Sequence, residues 1–163
     1  MKIKTKKINW KVLITCLIIV ILIACIGSLF TTPAVKSSWY QSNKPSLTPP
    51  DIVFPIAWTI LFFLIFLALY FSWTSAKTKN SKKKITAVFG FNFLLNIYWS
   101  ILYFHFKNPT AAFIEIILLW ISILMMILIT WKINKKSAYL LIPYLLWVSF
   151  AAILNFLSAF LVY

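Results

Sequence analysis

The strongest constraint on this chain is the length of its uninterrupted apolar runs. Five of them occupy roughly residues 10–32, 52–76, 85–106, 109–131 and 138–162. Each holds about 20 residues or more, enough for a helix rising 1.5 Å per residue to cross a hydrocarbon core about 30 Å thick. Lipid offers no water to satisfy backbone groups, so a spanning chain must be helical or a closed barrel. Barrel strands alternate apolar and polar positions over about 10 residues, and these runs do not. Hydrophobic residues make up 63% of the chain and charged ones 11%, against about 25% charged in soluble domains. The expected fold is therefore an all-α membrane protein. A single domain, residues 1–163, forms a five transmembrane helix bundle with a capping loop between the first two spans.

The net charge of +14 is carried by lysine alone. Without arginine there is no bidentate grip on phosphate or base edges, and the lysines cluster between spans, so a nucleic-acid partner is not expected. Lys2, Lys4, Lys6, Lys7 and Lys11 precede the first span. Lys77, Lys79, Lys82, Lys83 and Lys84 lie between the second and third, and Lys132, Lys135 and Lys136 between the fourth and fifth. Only Lys36, Lys44 and Lys107 fall on the other side. The positive-inside bias places the N-terminus in the cytoplasm and the C-terminus outside, with the lysines also drawing anionic membrane lipid. Lysine-only usage hints at an AT-rich genome and hence a prokaryotic cell membrane. Leu22-Ile23-Ala24-Cys25 fits a lipoprotein cleavage pattern, but the apolar run continues to Phe30, so the segment reads as a span. Cys16 and Cys25 have no histidine or carboxylate nearby, so no metal site is expected.

Polar residues inside the spans fall on single faces. In the third span Asn92, Asn96, Trp99 and Tyr103 follow i, i+4, i+7, i+11 spacing, with Ser100 at the edge. The fifth span repeats this with Tyr144, Trp147, Ala151, Asn155 and Ser158. The second offers Trp58, Phe62 and Leu69, and the fourth Ala112, Glu115, Leu119 and Ser122. Amides facing lipid would be left unpaired, so these faces point inward. Asn155 reads as interhelical packing; for Asn92 and Asn96, on a stripe with two aromatics, ligand lining weighs as much as packing. Glu115 is the one acid within the spans, about 9 Å below the interface by helix rise. An intramembrane acid reads as functional by default. With no cation at its depth, Glu115 is expected to be protonated or hydrogen-bonded, a third-span amide being one partner within reach of the reading.

Trp10, Trp73, Trp131 and Tyr163 sit near span ends and read as interfacial belt residues, and His105 as a snorkelling or capping residue. Trp58, Trp99 and Trp147 lie deeper, where an indole offers a flat stacking face and an N–H donor. Between the first two spans, Trp39-Tyr40 is followed by Lys44-Pro45 and Pro49-Pro50. The prolines fix φ and remove donors, so this segment reads as a stiff cap over the mouth of the bundle.

These motifs resemble the TspO/MBR family, the tryptophan-rich sensory and translocator proteins also known as the peripheral benzodiazepine receptor group. The resemblance rests on Trp39-Tyr40, Lys44-Pro45, Pro49-Pro50 and Phe54-Pro55 with Trp58, on Leu95-Asn96 with Trp99-Ser100, and on Pro143-Tyr144, Trp147, Phe150-Ala151 and Leu154-Asn155. It covers about residues 27–156 in the family's order. It implies a compact bundle, often a homodimer, with a ligand cavity under the first loop. Family ligands include protoporphyrin IX and other tetrapyrroles, isoquinoline carboxamides and benzodiazepines. By position the resemblance puts Tyr40, Trp58, Asn92, Asn96 and Trp147 on the pocket, with Ala151 at its close-packed part; Trp39, Pro45, Phe62, Trp99, Glu115 and Tyr144 complete the expected ligand-binding set. Some bacterial members degrade protoporphyrin in light, a reaction attributed to paired tryptophans that Trp58 and Trp147 match. Departures are Leu47 where many members have an aromatic, glutamate at 115 where aspartate is usual, and no cation after Lys136 to complete the sterol motif of vertebrate members.

Two functions follow as expectations. One is a receptor-like binder of porphyrins in tetrapyrrole handling or stress sensing; the other is a light-dependent porphyrin-degrading enzyme. A secondary transporter ranks below both, since there are no inverted repeats and only two glycines, Gly27 and Gly90.

Overall fold

A computed structural model of the chain describes residues 7–161. Lys2, Lys4, Lys6 and Tyr163, singled out above, lie outside the described residues. The elements are α1 (Trp10–Val35), α2 (Ser38–Asn43), α3 (Val53–Ser75), α4 (Lys79–Ser100) continuing into a π-helical segment (Ile101–His105), α5 (Pro109–Trp131) and α6 (Lys135–Phe160). Five of them are long and apolar enough to cross a membrane, as the apolar runs require.

Short polar side chains start most of these helices by accepting orphan N–H groups. Asn9 accepts from Val12 at 3.2 Å, Ser37 from Tyr40 at 3.2 Å, Thr78 from Ser81 at 3.1 Å and Asn108 from Ala111 at 3.0 Å, the last with Pro109 at the first helical position. Asn134 caps α6 through the N–H groups of Lys136 and Ser137. α3 has no such cap. It follows Pro49-Pro50 directly, Val53 N–H donating to the Pro50 carbonyl at 2.9 Å.

Two boundaries differ from expectation. α4 begins at Lys79 rather than near residue 85, because Thr78 caps it and lysines extend a helix at little cost, Lys82 reaching over the Trp73 ring at 5.5 Å. The cap between the first two spans is not all loop, since Ser37 nucleates the short α2 within it.

The spans close a ring in which α1 packs on α3 and α4, α3 on α6, α6 on α5 and α5 on α4. Inside it, Ile65, Ile85, Ile116, Ile123, Leu141 and Val148 are all but inaccessible. Outward, Ile14, Leu22, Phe63, Leu94, Leu128 and Leu146 are exposed, as a lipid-facing surface requires. Two buried hydroxyls return to their own helices, Ser72 to the Ala68 carbonyl and Thr130 to that of Met126, each at 2.7 Å. At the lysine-rich end, Asn9 N–H donates to the Tyr70 hydroxyl and Asn134 Nδ2 to Ser75, tying α1 and the α5–α6 turn to α3. Trp10 and Trp131 are exposed there, as belt residues would be, with Lys135 5.7 Å from the Trp131 ring.

The π-helical segment was not foreseen. Its wider turn shows in the Phe106 N–H donating to the Ile101 carbonyl at 2.9 Å, and it lets the consecutive residues Tyr103 and Phe104 both turn inward. Lys107 then ends the helix at φ 51°, in the left-handed region, and Asn108 N–H closes back on the Leu102 carbonyl.

A lidded aromatic cavity as the candidate functional site

A cavity of about 400 Å³ opens between α1, α3, α4 and α6 at the end of the bundle away from the lysine clusters. That volume falls within the range of small-molecule sites, about 300–1,000 Å³. Its lid comes from Tyr40 and the segment carrying Lys44, Pro45, Thr48 and Asp51. α3 lends Phe54, Pro55, Trp58 and Phe62 to the walls, α4 and its π segment Asn96, Trp99, Ser100, Tyr103 and Phe104, and α6 Trp147, Val148, Ala151, Leu154 and Asn155. The α1 wall is a strip of small and polar residues, Ala24, Gly27, Ser28, Thr31 and Thr32, while Ile116 and Leu119 of α5 also reach the site. A Cβ on Gly27 would meet Ser100 Oγ at 3.9 Å, ordinary contact, so the glycine leaves room rather than relieving a clash.

Hydrogen bonds hold the lid to the wall. The Tyr103 hydroxyl donates to Ser158 Oγ at 3.0 Å, and Ser158 donates to the Asn43 carbonyl at 3.0 Å. This chain fixes the end of α2 to α6. The Tyr40 ring packs on Phe104 at 5.8 Å, and the Lys44 ammonium lies 5.9 Å from the Tyr40 ring centroid and 3.6 Å from Asp51. Tyr40 is 5% exposed. Its hydroxyl pKa is pushed up to about 12, first by burial and then by Tyr103 and Asp51.

A second polar chain runs through the floor. Asn96 Nδ2 donates to the Tyr144 hydroxyl at 3.1 Å, Tyr144 donates to Asn92 Oδ1 at 3.3 Å, and Asn92 Nδ2 donates to Ser122 at 2.8 Å. One hydroxyl of α6 thus joins two amides of α4, which in turn reach α5. Asn155 accepts the Trp99 indole N–H at 3.0 Å and donates to the Pro109 carbonyl at 2.8 Å, the interhelical packing expected of it. Trp99 stacks on Tyr103 at 5.2 Å and 20°.

The structure brings Tyr40, Pro45, Trp58, Phe62, Asn96, Trp99, Trp147 and Ala151 to one cavity wall. Four residues of the expected ligand-binding set do not line it. Trp39 packs edge-on against Tyr103 at 5.8 Å, behind the lid. Asn92 and Tyr144 are fully buried, engaged with each other below the wall. Glu115 is 4% exposed, and neither carboxyl oxygen has a hydrogen-bond partner among the described residues. The expected bond from a third-span amide does not form, because Asn92 and Asn96 are committed to Ser122 and Tyr144. His105 is exposed in the last turn of the π-helical segment, as a snorkelling residue would be, and sits edge-on to Phe30 at 5.9 Å. Trp58 lies 5.4 Å from Phe62 and 6.1 Å from Tyr144, and Trp147 lies 5.9 Å from Phe54.

Sequence reasoning missed the α1 wall, although Ala24, Gly27, Ser28 and Thr31 keep helical spacing. It also did not assign Lys36, Thr48, Asp51 or Phe54 to the cavity. Among the described residues, His, Cys, Asp and Glu form no group of three that could hold a metal ion.

Residues 15–160 match the TspO/MBR family. The chain is 38% identical over 143 residues to the tryptophan-rich protein TspO of Chlorobaculum tepidum, covering 86% of this chain and 89% of that protein. It is 40% identical over 147 residues to the TspO of Archaeoglobus fulgidus, covering 88% and 92%. It is 31% identical over 143 residues to the tryptophan-rich sensory protein of Cereibacter sphaeroides, covering 86% and 87%. Spanned by the family almost from end to end, this chain, with five helices long and apolar enough to cross a membrane, belongs to the TspO/MBR family.

Proposed function

We propose that this protein is a receptor-like binder of porphyrins and related tetrapyrroles, serving tetrapyrrole handling or stress sensing from a prokaryotic cell membrane. The lid faces outward in this reading and the lysine clusters face the cytoplasm. The observation that carries it is the single cavity on which Trp58, Trp99 and Trp147 meet Asn96 beneath a tied lid. Three indoles offer faces for a broad planar ring. Asn96 spends its Nδ2 on Tyr144, so its Oδ1 has no partner among the described residues and can accept from a ring N–H. Isoquinoline- and benzodiazepine-type aromatics suit the same walls. Titrating purified protein with protoporphyrin IX should quench tryptophan fluorescence and shift the porphyrin absorption band. A titration with neither change would sink the reading.

A second reading, light-dependent degradation of the bound porphyrin, draws on Trp58 and Trp147 lining the same cavity. Indole is the side chain here most readily oxidised by a photoexcited ring. Under illumination the absorption band should then decay faster with protein than without it. Replacing both tryptophans by phenylalanine should stop that decay while binding persists; undiminished decay in the double variant argues against the reading.

A further inference from the structure

Glu115 lies buried beside the cavity wall, and ligand binding as described so far makes no use of it. It is 4% exposed, and both carboxyl oxygens are without a hydrogen-bond partner among the described residues. The amides of the neighbouring helices donate elsewhere, Asn92 to Ser122, Asn96 to Tyr144 and Asn155 to the Pro109 carbonyl. No opposite charge faces it either. α6 presents Tyr144 and the π-helical segment Tyr103, both buried, and Tyr40 joins Tyr103 and Ala112 in one cluster. All three are acids rather than bases. Tyr98, Tyr139, His105 and Lys107 are exposed, and the lysines of α4 and α6 gather in the first turns of those helices, away from residue 115. An ionised carboxylate in such surroundings has neither water nor a counter-charge, whereas the neutral acid forfeits only hydrogen bonds.

We propose that Glu115 is a proton-binding site that controls the cavity: with its proton the carboxyl stays packed between the helices, and without it the side chain turns into the cavity and occupies it. This rests on the cavity being a ligand site, as proposed above, and adds the proton that regulates it. Ile116 next to Glu115 and Leu119 one turn on already line the cavity, so that is the polar space a carboxylate can reach. Ser100 waits there with a hydroxyl that meets the Asn96 carbonyl at only 3.5 Å and is readily given up to an anion. Ionisation breaks the carboxyl O–H bond and releases the proton to water in the cavity. The anion then stands among Trp58, Phe62 and Leu119, where an apolar ligand would lie. A ligand that displaces it sends the side chain back between the helices with a proton, one taken up for each ligand bound.

Full-length protein in non-ionic detergent tests both halves. Asp51 and Glu115 are the only acidic side chains, which keeps the infrared spectrum simple. The carbonyl stretch of a protonated carboxyl should be present at neutral pH, vanish in Glu115→Gln and persist in Asp51→Asn. In the unaltered protein it should fade at alkaline pH, before Tyr40 ionises at about 12. Binding of an isoquinoline carboxamide, whose amide does not titrate in that range, is followed by tryptophan quenching. Once the band fades, affinity should fall about tenfold for each further pH unit, the slope of one proton bound with each ligand. Glu115→Gln, neutral at every pH, should bind with a flat profile. A purely structural acid would lower the Tm when replaced but leave the slope in place. A missing band at neutral pH, or one that survives in Glu115→Gln, overturns the proton site. Affinity that stays flat in the unaltered protein as the pH is raised overturns its control of the cavity, whether or not Glu115→Gln folds. A probe that binds at no pH overturns the cavity reading, while the band still decides the proton site.

Discussion

Removing one oxygen from the middle of the helix-to-helix polar chain gives the sharpest test of how the cavity floor is held. Tyr144→Phe keeps the ring that packs 6.1 Å from Trp58 and deletes only the hydroxyl. That hydroxyl accepts from Asn96 and donates to Asn92. The two losses are unequal. Asn96 faces the cavity, where water can replace the phenol. Asn92 is 0% exposed and keeps its bond to Ser122, but its Oδ1 is stranded. Interhelical hydrogen bonds in membranes average about 0.6 kcal/mol, so two bonds account for about 1.2 kcal/mol. A stranded buried acceptor adds about 1 kcal/mol, the lower end of the unsatisfied-group penalty. The expected destabilisation is therefore about 2 kcal/mol, or a Tm lowered by about 4–8 °C for a chain of this size. Thermal unfolding in detergent would measure it. Asn92→Leu completes a cycle, in which the double variant should lose about 1.6 kcal/mol less than the sum of the singles, since the shared bond is then lost once and the stranded group is gone. Stability unchanged within about 0.3 kcal/mol in Tyr144→Phe, or strictly additive losses, would refute the account.

Other outcomes follow from named contacts. Ser158→Ala cuts the chain from Tyr103 to the Asn43 carbonyl, so amide exchange should quicken in α2 and the lid while α5 stays protected. Gly27→Leu should fill cavity space and block porphyrin quenching with the fold intact, whereas Gly27→Ala, meeting only Ser100 at 3.9 Å, should leave binding near normal. Gly90 has open space around it, so Gly90→Ala should be tolerated and stabilise α4 by up to about 1 kcal/mol, read as a higher Tm. The buried Tyr40 hydroxyl should ionise only near pH 12. Because the folded value is raised, the stability it contributes is present below the unfolded value of about 10 and lost as pH rises towards 12. Tyr40→Phe should remove that late step from an alkaline absorbance titration.

The spans were legible because lipid imposes one rule on every turn of helix, and apolar length reports it directly. Cavity-facing residues such as Trp58, Asn96 and Trp147 were legible for a different reason: they interrupt or enlarge an otherwise aliphatic face at helical spacing. What escaped depends on rotation and local turn geometry. Asn92 and Asn96 share one stripe, but only Asn96 reaches the cavity, because Tyr144 wedges between the two amides. Glu115 was drawn towards those amides in the sequence reading; the packed α5 instead presents Ser122 to Asn92. The α1 strip was hidden because most of that helix is aliphatic all round, and small residues such as Gly27 and Ala24 signal a wall only once the neighbouring helix stands apart. Trp120, passed over in the sequence, donates to Ser149 at 2.8 Å and fastens α5 to α6.

The π-helical segment bears on how this chain compares with its relatives. Such a turn holds one residue more than the α-turn it replaces, which makes Ile101–His105 a stored insertion. One residue corresponds to about 100° of rotation along an α-helix. Deleting one position there would let the helix close in the ordinary way and swing Tyr103 or Phe104 out of the cavity wall, while everything before Ser100 kept its register. Length variation among relatives can therefore collect at this point without disturbing Asn92 or Asn96. An alignment gap between 101 and 105 would mark a remodelled lid-side wall on an unchanged bundle.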